Sequence, residues 1–156
     1  MKRHQSFVPL SQDHYDGLLL AVRLQQGKQA LERLWSHDPA WQANYVAEFF
    51  ASHLAPHFEA EEMVVFSVAQ KHLPDNPLVN QLIAEHEEMR MFAEYFRKPA
   101  THSLPGKLVQ FGELLERHIR CEEREFFPLC ESSLPREVLE KMKEPILQYK
   151  PANKDH

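Results

Sequence analysis

Histidine and glutamate residues with a repeated spacing are the part of this sequence with the clearest capacity for chemistry. His57 and Glu61 are four residues apart, and His118 and Glu122 have the same separation. Residues four apart share a helix face, so each pair can direct an imidazole nitrogen and a carboxylate oxygen at one point. Such mixed ligands suit iron, manganese and zinc better than magnesium or calcium, which prefer all-oxygen shells. With two further histidines on apolar helical stripes, the expected metal ligands are His14, His57, Glu61, His86, His118 and Glu122.

The two His–Glu pairs belong to an internal repeat. Residues 57–66 align with residues 118–127, and the shared pattern is H-Φ-x-x-E-E-x-x-x-F, in which Φ is an apolar residue. The remaining positions differ freely between the two copies, whereas the histidine, both glutamates and the phenylalanine coincide. This pattern predicts two equivalent halves of one symmetric site.

The charge of the inward-facing glutamates favours a bound cation over an empty core. Buried, unpaired carboxylates cost free energy and two that face each other repel, so without a cation one or both would protonate or turn to water. Two divalent cations would more than balance Glu61 and Glu122. Each of these residues taken alone has a plainer interpretation, as a core histidine or a solvated glutamate. A metal-free structural bundle is therefore kept as an alternative hypothesis.

Several other classes of function are disfavoured by the sequence. None of the ten histidines follows a glutamate by three residues, which excludes the Glu-x-x-His motif of ferritin-like di-iron proteins. The chain contains no H-E-x-x-H zinc motif and none of the glycine-rich phosphate-binding motifs. A formal net charge of −5 without a lysine- or arginine-rich block argues against a nucleic-acid partner.

The elements that must position these ligands are four amphipathic helices. Apolar periodicity predicts helices over about 12–35, 39–71, 78–96 and 107–132, separated by proline-containing breaks, one of which runs from Lys98 to Gly106. Pro56 is expected to kink or locally break the second helix beside His57. The predicted fold class is all-α: an antiparallel up-down-up-down four-helix bundle over about 10–131 with a short C-terminal amphipathic helix over about 135–149, interrupted by Pro145.

Length and hydropathy place this bundle in one cytoplasmic domain. The 156 residues are close to the usual size of a single domain, which we take to span 1–156. No apolar run approaches the roughly 18 residues that cross a bilayer, and the basic N-terminus lacks the apolar stretch of a signal peptide. We therefore expect a cytoplasmic protein without a membrane partner.

With these motifs the sequence resembles the hemerythrin-like, or HHE cation-binding, family. The resemblance covers about residues 10–131 and is strongest at His57-Phe58 with Glu61-Glu62, and at His118-Ile119 with Glu122-Glu123. It implies a four-helix bundle with two non-haem iron ions joined by an oxo or hydroxo bridge, and manganese or zinc as substitutes. The four histidines would be terminal ligands and the two glutamates would bridge the ions. An open coordination position would admit dioxygen or nitric oxide.

Two departures from the oxygen-carrying members narrow this expectation. Those proteins have a second histidine four residues further along the third helix, where this chain has Arg90. They also place an aspartate five residues after the last histidine, where this chain has Glu123 behind the better-placed Glu122. The resemblance therefore favours the intracellular branch over a dedicated oxygen carrier. His53 and, more weakly, His37 are candidates for an additional ligand.

Two functional hypotheses follow from the resemblance. In the first, the protein binds or senses dioxygen, nitric oxide or iron status, and the change of charge at the centre shifts the helices or the C-terminal segment. In the second, the same centre belongs to an enzyme or iron donor in oxidative or nitrosative stress defence or iron–sulfur cluster repair. The sequence contains no recognisable organic-substrate site or positioned general acid, which favours binding over catalysis.

Overall fold

The computed structural model of the chain describes residues 2–26, 35–99 and 101–150, and every regular element within those ranges is helical. The predicted all-helical class is therefore confirmed for the described residues. Four long helices and two short ones follow one another: α1 Val8–Gln26, α2 39–72, α3 Pro77–Arg97, α4 104–133, α5 Arg136–Lys141 and α6 Lys143–Tyr149. In the described part of the chain no helix is both long and apolar enough to cross a membrane.

Caps and prolines set the beginnings of α2 and α3. The Asp38 carboxylate accepts a hydrogen bond from the Ala40 amide, and Asn76 accepts from the amides of Leu78 and Val79. A proline follows each cap, where its missing amide hydrogen costs nothing. The expected continuation of the first helix to about residue 35 falls on 27–34, which lie outside the described residues.

Two sequence-based boundaries were wrong, and proline explains both. The loop expected to reach Gly106 ends earlier, because α4 begins at Leu104 with Pro105 in its first turn. The break expected at Pro145 lies instead at Met142, between α5 and α6. In both helices the proline stands in the first turn, where no intrahelical hydrogen bond requires its amide.

Three π-helical segments widen α2 and α4 without interrupting them. They span Phe50–Leu54 and Glu61–Phe66 in α2, and Glu122–Phe126 in α4. The first directly precedes the turn that contains Pro56, and the third precedes the turn that contains Pro128. A proline clashes with the carbonyl one turn earlier, and a wider turn relieves that clash. The break expected at Pro56 is thus a local π turn within a helix that continues to His72.

The helices surround two apolar clusters with a polar layer between them. One cluster contains Leu10, Leu82 and Phe126, and the other contains Leu20 and Met89. The buried histidines and glutamates stand between these two sets of positions along the helices. The site is therefore held from both ends by close-packed hydrocarbon, which fixes side chains that would otherwise be free to turn.

Close approach of α1 and α4 brings their parts of the site together. A Cβ at Gly17 would lie 2.8 Å from Ile119 Cδ1, and a Cβ at Gly112 would lie 2.9 Å from the Ala21 carbonyl oxygen. Side-chain contacts pair the beginning of α1 with the end of α4, as in the hydrogen bond from Ser11 to Glu123.

Candidate metal centre

The structure brings the six sequence-predicted residues together in one buried cluster. His14 and His57 are 4% and 3% exposed, His118 is 1% exposed, and the other three are fully buried. Their ligand atoms form two groups, in each of which all atoms lie within 4.8 Å of one another. We call them position one, formed by His14, His57, Glu61 and Glu122, and position two, formed by Glu61, His86, His118 and Glu122.

The two carboxylates are shared between the positions, one oxygen to each. Glu61 Oε2 lies 3.3 Å from His57 Nε2, and Glu61 Oε1 lies 3.0 Å from His86 Nε2. Glu122 Oε1 lies 2.9 Å from His14 Nε2, and Glu122 Oε2 lies 3.4 Å from His118 Nε2. Each glutamate therefore faces one histidine of either position, as a carboxylate that bridges two cations would.

Several buried polar atoms in this cluster lack a hydrogen-bond partner among the described residues. Neither oxygen of Glu61, nor Glu122 Oε2, has a partner in hydrogen-bond geometry among the described residues. The Nε2 atoms of His86 and His118 face each other at 3.1 Å, where at most one of them can hold a shared proton. Unpaired buried carboxylates are costly, and a cation would satisfy all of these atoms at once. The donor set fits two metal ions.

Charges within the cluster shift the pKa values of its groups. Burial and the charge of Glu122 raise the pKa of Glu61 to about 8. Burial opposes the charged form of His118, but the negative charge of Glu122 outweighs it and raises the pKa of His118 to about 10. Burial alone would raise the pKa of Glu122, yet the positive charge of His118 lowers it well below its usual range. A cation binding here would displace the protons of Glu61 and His118.

Each ligand histidine has its other ring nitrogen against a carboxylate, at 2.7 to 2.9 Å. A carboxylate can only accept, so Nδ1 donates its proton to it, and the ring, when neutral, presents the Nε2 lone pair to the centre. Carboxylate partners of this kind orient metal-ligating histidines and raise their basicity. We call the four residues the outer carboxylates, and the pairs are Asp13 with His57, Glu62 with His86, Glu85 with His118, and Glu123 with His14.

The outer carboxylates connect the four helices in a closed ring. Each is the sequence neighbour of one ligand, yet it supports a histidine on the next helix: α1 supports α2, α2 supports α3, α3 supports α4, and α4 supports α1. This role of the four carboxylates was not predicted from the sequence. Its only local signal is the acidic residue directly beside each of His14, Glu61, His86 and Glu122. That signal does not reveal which histidine the carboxylate contacts.

Hydrogen-bond donors in turn hold the outer carboxylates. Lys150 Nζ donates to Asp13 at 2.7 Å, and Arg90 donates to Glu62 at 2.8 Å. Gln81 donates to Glu85 at 3.2 Å, and Arg117 lies 4.0 Å from the same carboxylate. Ser11 donates to Glu123 at 2.7 Å, and Arg3 pairs with it at 3.3 Å. Two of these donors, Arg3 and Lys150, come from the two ends of the described chain.

The two other candidate ligands from the sequence, His53 and His37, lie outside the two groups of converging atoms, and so does Arg90. Arg90 is engaged with Glu62 and with Glu87 at 2.6 Å. His53 Nε2 lies 3.7 Å from Asp16 and belongs to neither position among the described residues. His37 precedes α2 and is also in neither group.

Each of the two shared carboxylates stands at the beginning of a π-helical segment. Glu61 and Glu122 are each the first residue of a π-helical segment, one turn after a ligand histidine. A π turn has about five residues per hydrogen-bonded step rather than four, which changes how successive side chains are spaced around the axis. Glu61 and its neighbour Glu62 both contact His86, Glu61 at Nε2 and Glu62 at Nδ1.

A small cavity adjoins the histidines of both positions. Its volume is about 10 Å³, which is room for about one molecule of the size of water. Besides Asp13 and the rings of His14, His57 and His118, its lining is apolar and consists of Leu54, Phe58, Leu115 and Ile119.

Comparison with known proteins agrees with this geometry. The family model of the hemerythrin HHE cation-binding domain matches residues 18–130, which is more than half of the chain and contains five of the six predicted ligands. His14 and its neighbour Asp13 precede the matched range. No curated protein and no solved structure matches the chain. By its sequence and its buried histidine–glutamate cluster, the chain belongs to the hemerythrin HHE cation-binding family.

Proposed function

We propose that this is a non-haem di-iron protein that binds or senses dioxygen or nitric oxide in the cytoplasm. The observation that carries the proposal is the division of each buried carboxylate between two pairs of histidines. Such a division provides two adjacent cation positions with equal ligand sets. It agrees with the repeat of the His–Glu motif in α2 and α4.

In this proposal His14, His57, His86 and His118 are terminal ligands, and Glu61 and Glu122 bridge two iron ions. We infer that the bundle runs up-down-up-down as one domain. Each of α1 through α4 carries one of the four histidines. The pairing of Ser11 with Glu123 and of Gln25 with Glu116 supports an antiparallel α1 and α4. When bound, the iron pair would supply reversible one-electron chemistry and an open position for a diatomic ligand.

The residues of this chain would fix the ligands and move protons. The outer carboxylates hold each imidazole with Nε2 directed inward, so loading requires no ring rotation. Glu61 and His118 would lose their protons on loading, and the fully buried site has no direct path for them into water. Glu85 contacts His118 and is 9% exposed, so it is placed to pass the proton of that ring to the surface.

The cavity supports a small ligand in preference to an organic substrate. A space of about 10 Å³ accepts a molecule of two or three atoms and excludes larger ones unless the helices separate. Its wall of Leu54, Phe58, Leu115 and Ile119 offers no hydrogen bond, which suits a neutral gas.

The first experiment is metal analysis of the protein purified from iron-supplemented cells, combined with its near-ultraviolet and visible spectrum. We expect about two iron ions per chain with charge-transfer bands of a bridged ferric pair. The double variant Glu61→Gln, Glu122→Gln should lose both the metal and the bands, whereas Glu59→Gln on the exposed side of α2 should keep them. Absence of bound metal after anaerobic ferrous reconstitution would contradict the proposal and leave the structural-bundle hypothesis.

The second experiment identifies the ligand. The ferrous protein is mixed anaerobically with nitric oxide, or with dioxygen, in a stopped-flow spectrometer. Binding and sensing predict a species that reverts when the gas is removed. Irreversible oxidation with multiple turnovers would favour an enzyme, and release of iron to an acceptor would favour an iron donor.

A further inference from the structure

Lys150, the last described residue of the chain, contacts Asp13, the outer carboxylate that orients His57. Lys150 Nζ donates a hydrogen bond to Asp13 Oδ1 at 2.7 Å and another to the Pro9 carbonyl at 3.2 Å. The other oxygen of the same carboxylate, Asp13 Oδ2, accepts from His57 Nδ1 at 2.9 Å. The side chains of Lys150 and Asp13 are only 25% and 15% exposed. A continuous set of contacts therefore joins the C-terminal segment to position one.

The C-terminal segment that carries Lys150 is firmly attached to the bundle. Leu139, Met142 and Ile146 are at most 4% exposed and belong to the apolar cluster of α1, α2 and α4. The Ser6 hydroxyl donates to the Leu139 carbonyl at 2.6 Å. Helix α6 packs along residues 55–66, the part of α2 that contains His57 and Glu61. Lys150 is thus presented to Asp13 by an anchored helix.

The two metal positions differ in how their outer carboxylates are held. At position two, Glu62 and Glu85 are held by Arg90, Gln81 and Arg117, all within the range that the family model matches. At position one, Glu123 is held by Ser11 and Arg3, and Asp13 is held by Lys150. These three donors lie outside the matched range of 18–130.

We propose that Lys150 is a positioning residue of position one that acts through Asp13 on His57. It makes the C-terminal segment a part of the metal centre. The inference rests on the proposed metal-binding function and extends it. Asp13 lies at the margin of the bundle, and without Lys150 it can turn to water and release the His57 ring. Partners that orient a ligating histidine contribute about 10- to 100-fold to metal affinity.

The test measures the rate at which a chromophoric ferrous chelator removes iron from the anaerobically loaded full-length protein. In Lys150→Met, we expect one of the two ions to be removed about tenfold faster, with the other removed at the wild-type rate. Lys150→Arg should restore the slow rate, because a guanidinium can also donate to Asp13. Lys143→Met changes an exposed lysine of α6, the helix directly before Lys150, and should behave as the wild type.

Two further measurements separate positioning from general loosening. In the zinc-loaded protein, nitrogen NMR of the imidazoles should show exchange broadening at His57 in Lys150→Met and an unchanged His118. In a double-mutant cycle, Lys150→Met should add nothing to the effect of Asp13→Asn, since Lys150 acts through that carboxylate.

Three results would overturn the inference: wild-type rates for both ions in Lys150→Met, equal acceleration of both ions, or independent effects of the two substitutions. Equal acceleration would indicate only that the helix has loosened. If the wild-type chain binds no metal, the proposed function fails and the inference fails with it. If it binds two ions and Lys150→Met does not change their removal, this inference alone fails.

Discussion

The carboxylate of Glu85 accepts a hydrogen bond from Nδ1 of His118 at 2.8 Å, across the contact between α3 and α4. Glu85 belongs to the helix that carries His86, so one helix supplies a ligand to the centre and the support for the next helix's ligand. The same relationship occurs four times around the bundle. A displacement of any one helix therefore disturbs its own ligand and the orientation of another.

Replacement of Glu85 by glutamine should weaken metal binding at position two. An amide can still reach His118, but it carries no charge and can present its NH₂ group to Nδ1, which favours the wrong tautomer. We expect affinity for one ion to fall about 10- to 100-fold, measured by competition with a chelator of known affinity. Glu88→Gln, on the exposed side of the same helix, should have the wild-type affinity. Equal affinities in the two variants would show that the hydrogen bond does not support the ligand.

Replacement of Glu61 by glutamine should have a larger effect, because it removes charge from both positions. Both oxygens of Glu61 lie near ligand histidines, and a neutral amide bridges two cations poorly. We expect the metal content to fall below one ion per chain in elemental analysis after gel filtration. The metal-free protein should remain folded, since glutamine resembles the protonated state that burial already favours for this carboxyl. A variant that retains two ions would show that Glu61 is not a shared ligand.

Stability of the metal-free protein should decrease as the pH rises. The folded pKa values of about 8 for Glu61 and about 10 for His118 lie above their ordinary values of 4.5 and 6.5. The native state then holds more protons than the unfolded state, so this stability is complete below the ordinary values and is lost as pH rises through the folded ones. Between pH 6.5 and 8 both groups contribute, each at a slope on the order of 1 kcal/mol per pH unit, so that the two together give about 2 to 3 kcal/mol per pH unit.

Thermal unfolding with chelator present measures this slope. Glu61→Gln cannot ionise, so its unfolding midpoint should decline less over the same pH range. The zinc-loaded protein should show no such decline, since its ligands are already deprotonated. A midpoint for the metal-free protein that rises between pH 6.5 and 8 would contradict the pKa directions.

The burial and convergence of the six candidate ligands could be predicted from the sequence, because these residues obey the periodicity of single helices. His57 with Glu61, and His118 with Glu122, need only the rule that residues four apart share a face. Their burial follows from the apolar residues around them on the same stripes. His14 and His86 lack a paired carboxylate one turn away, and their inclusion depended on the apolar stripes to which they belong.

The pairing of the outer carboxylates with the histidines could not be predicted from the sequence, because it depends on contacts between helices. Asp13 lies beside His14 in the sequence but contacts His57, 44 residues away. Lys150 contacts Asp13 across 137 residues. The π segment at Glu61 also has no proline in the turn that follows it, whereas the other two π segments are followed by Pro56 and Pro128. Such features depend on helix register and on which faces meet, which one sequence leaves open.

Alanine at Gly112 should destabilise the protein by separating α1 from α4. Its Cβ would lie 2.9 Å from the Ala21 carbonyl oxygen and 3.0 Å from Leu24 Cβ, and the backbone oxygen cannot rotate away. We expect a loss of about 1–3 kcal/mol in the free energy of unfolding, measured by urea denaturation.

Gly17→Ala should cost less, because the added Cβ meets the flexible end of the Ile119 side chain. Gly106→Ala has open space around it and should be neutral or stabilising; a loss as large as that of Gly112→Ala would contradict this explanation.

Filling the cavity beside the histidines should slow the approach of a gas without removing the metal. Leu115 lines that cavity, and its side chain has no atom that could bind a metal ion. Leu115→Phe therefore adds bulk to a space of about 10 Å³ and leaves the donor atoms unchanged. In anaerobic stopped-flow mixing of the ferrous protein with nitric oxide, we expect the association rate to fall at least about tenfold at the wild-type iron content. Leu19→Phe makes the same change on the half-exposed side of α1 and should leave the rate unaltered. An undiminished rate in Leu115→Phe would show that the ligand reaches the centre by another path, and a loss of iron would show that the cavity wall also holds the ligands in place.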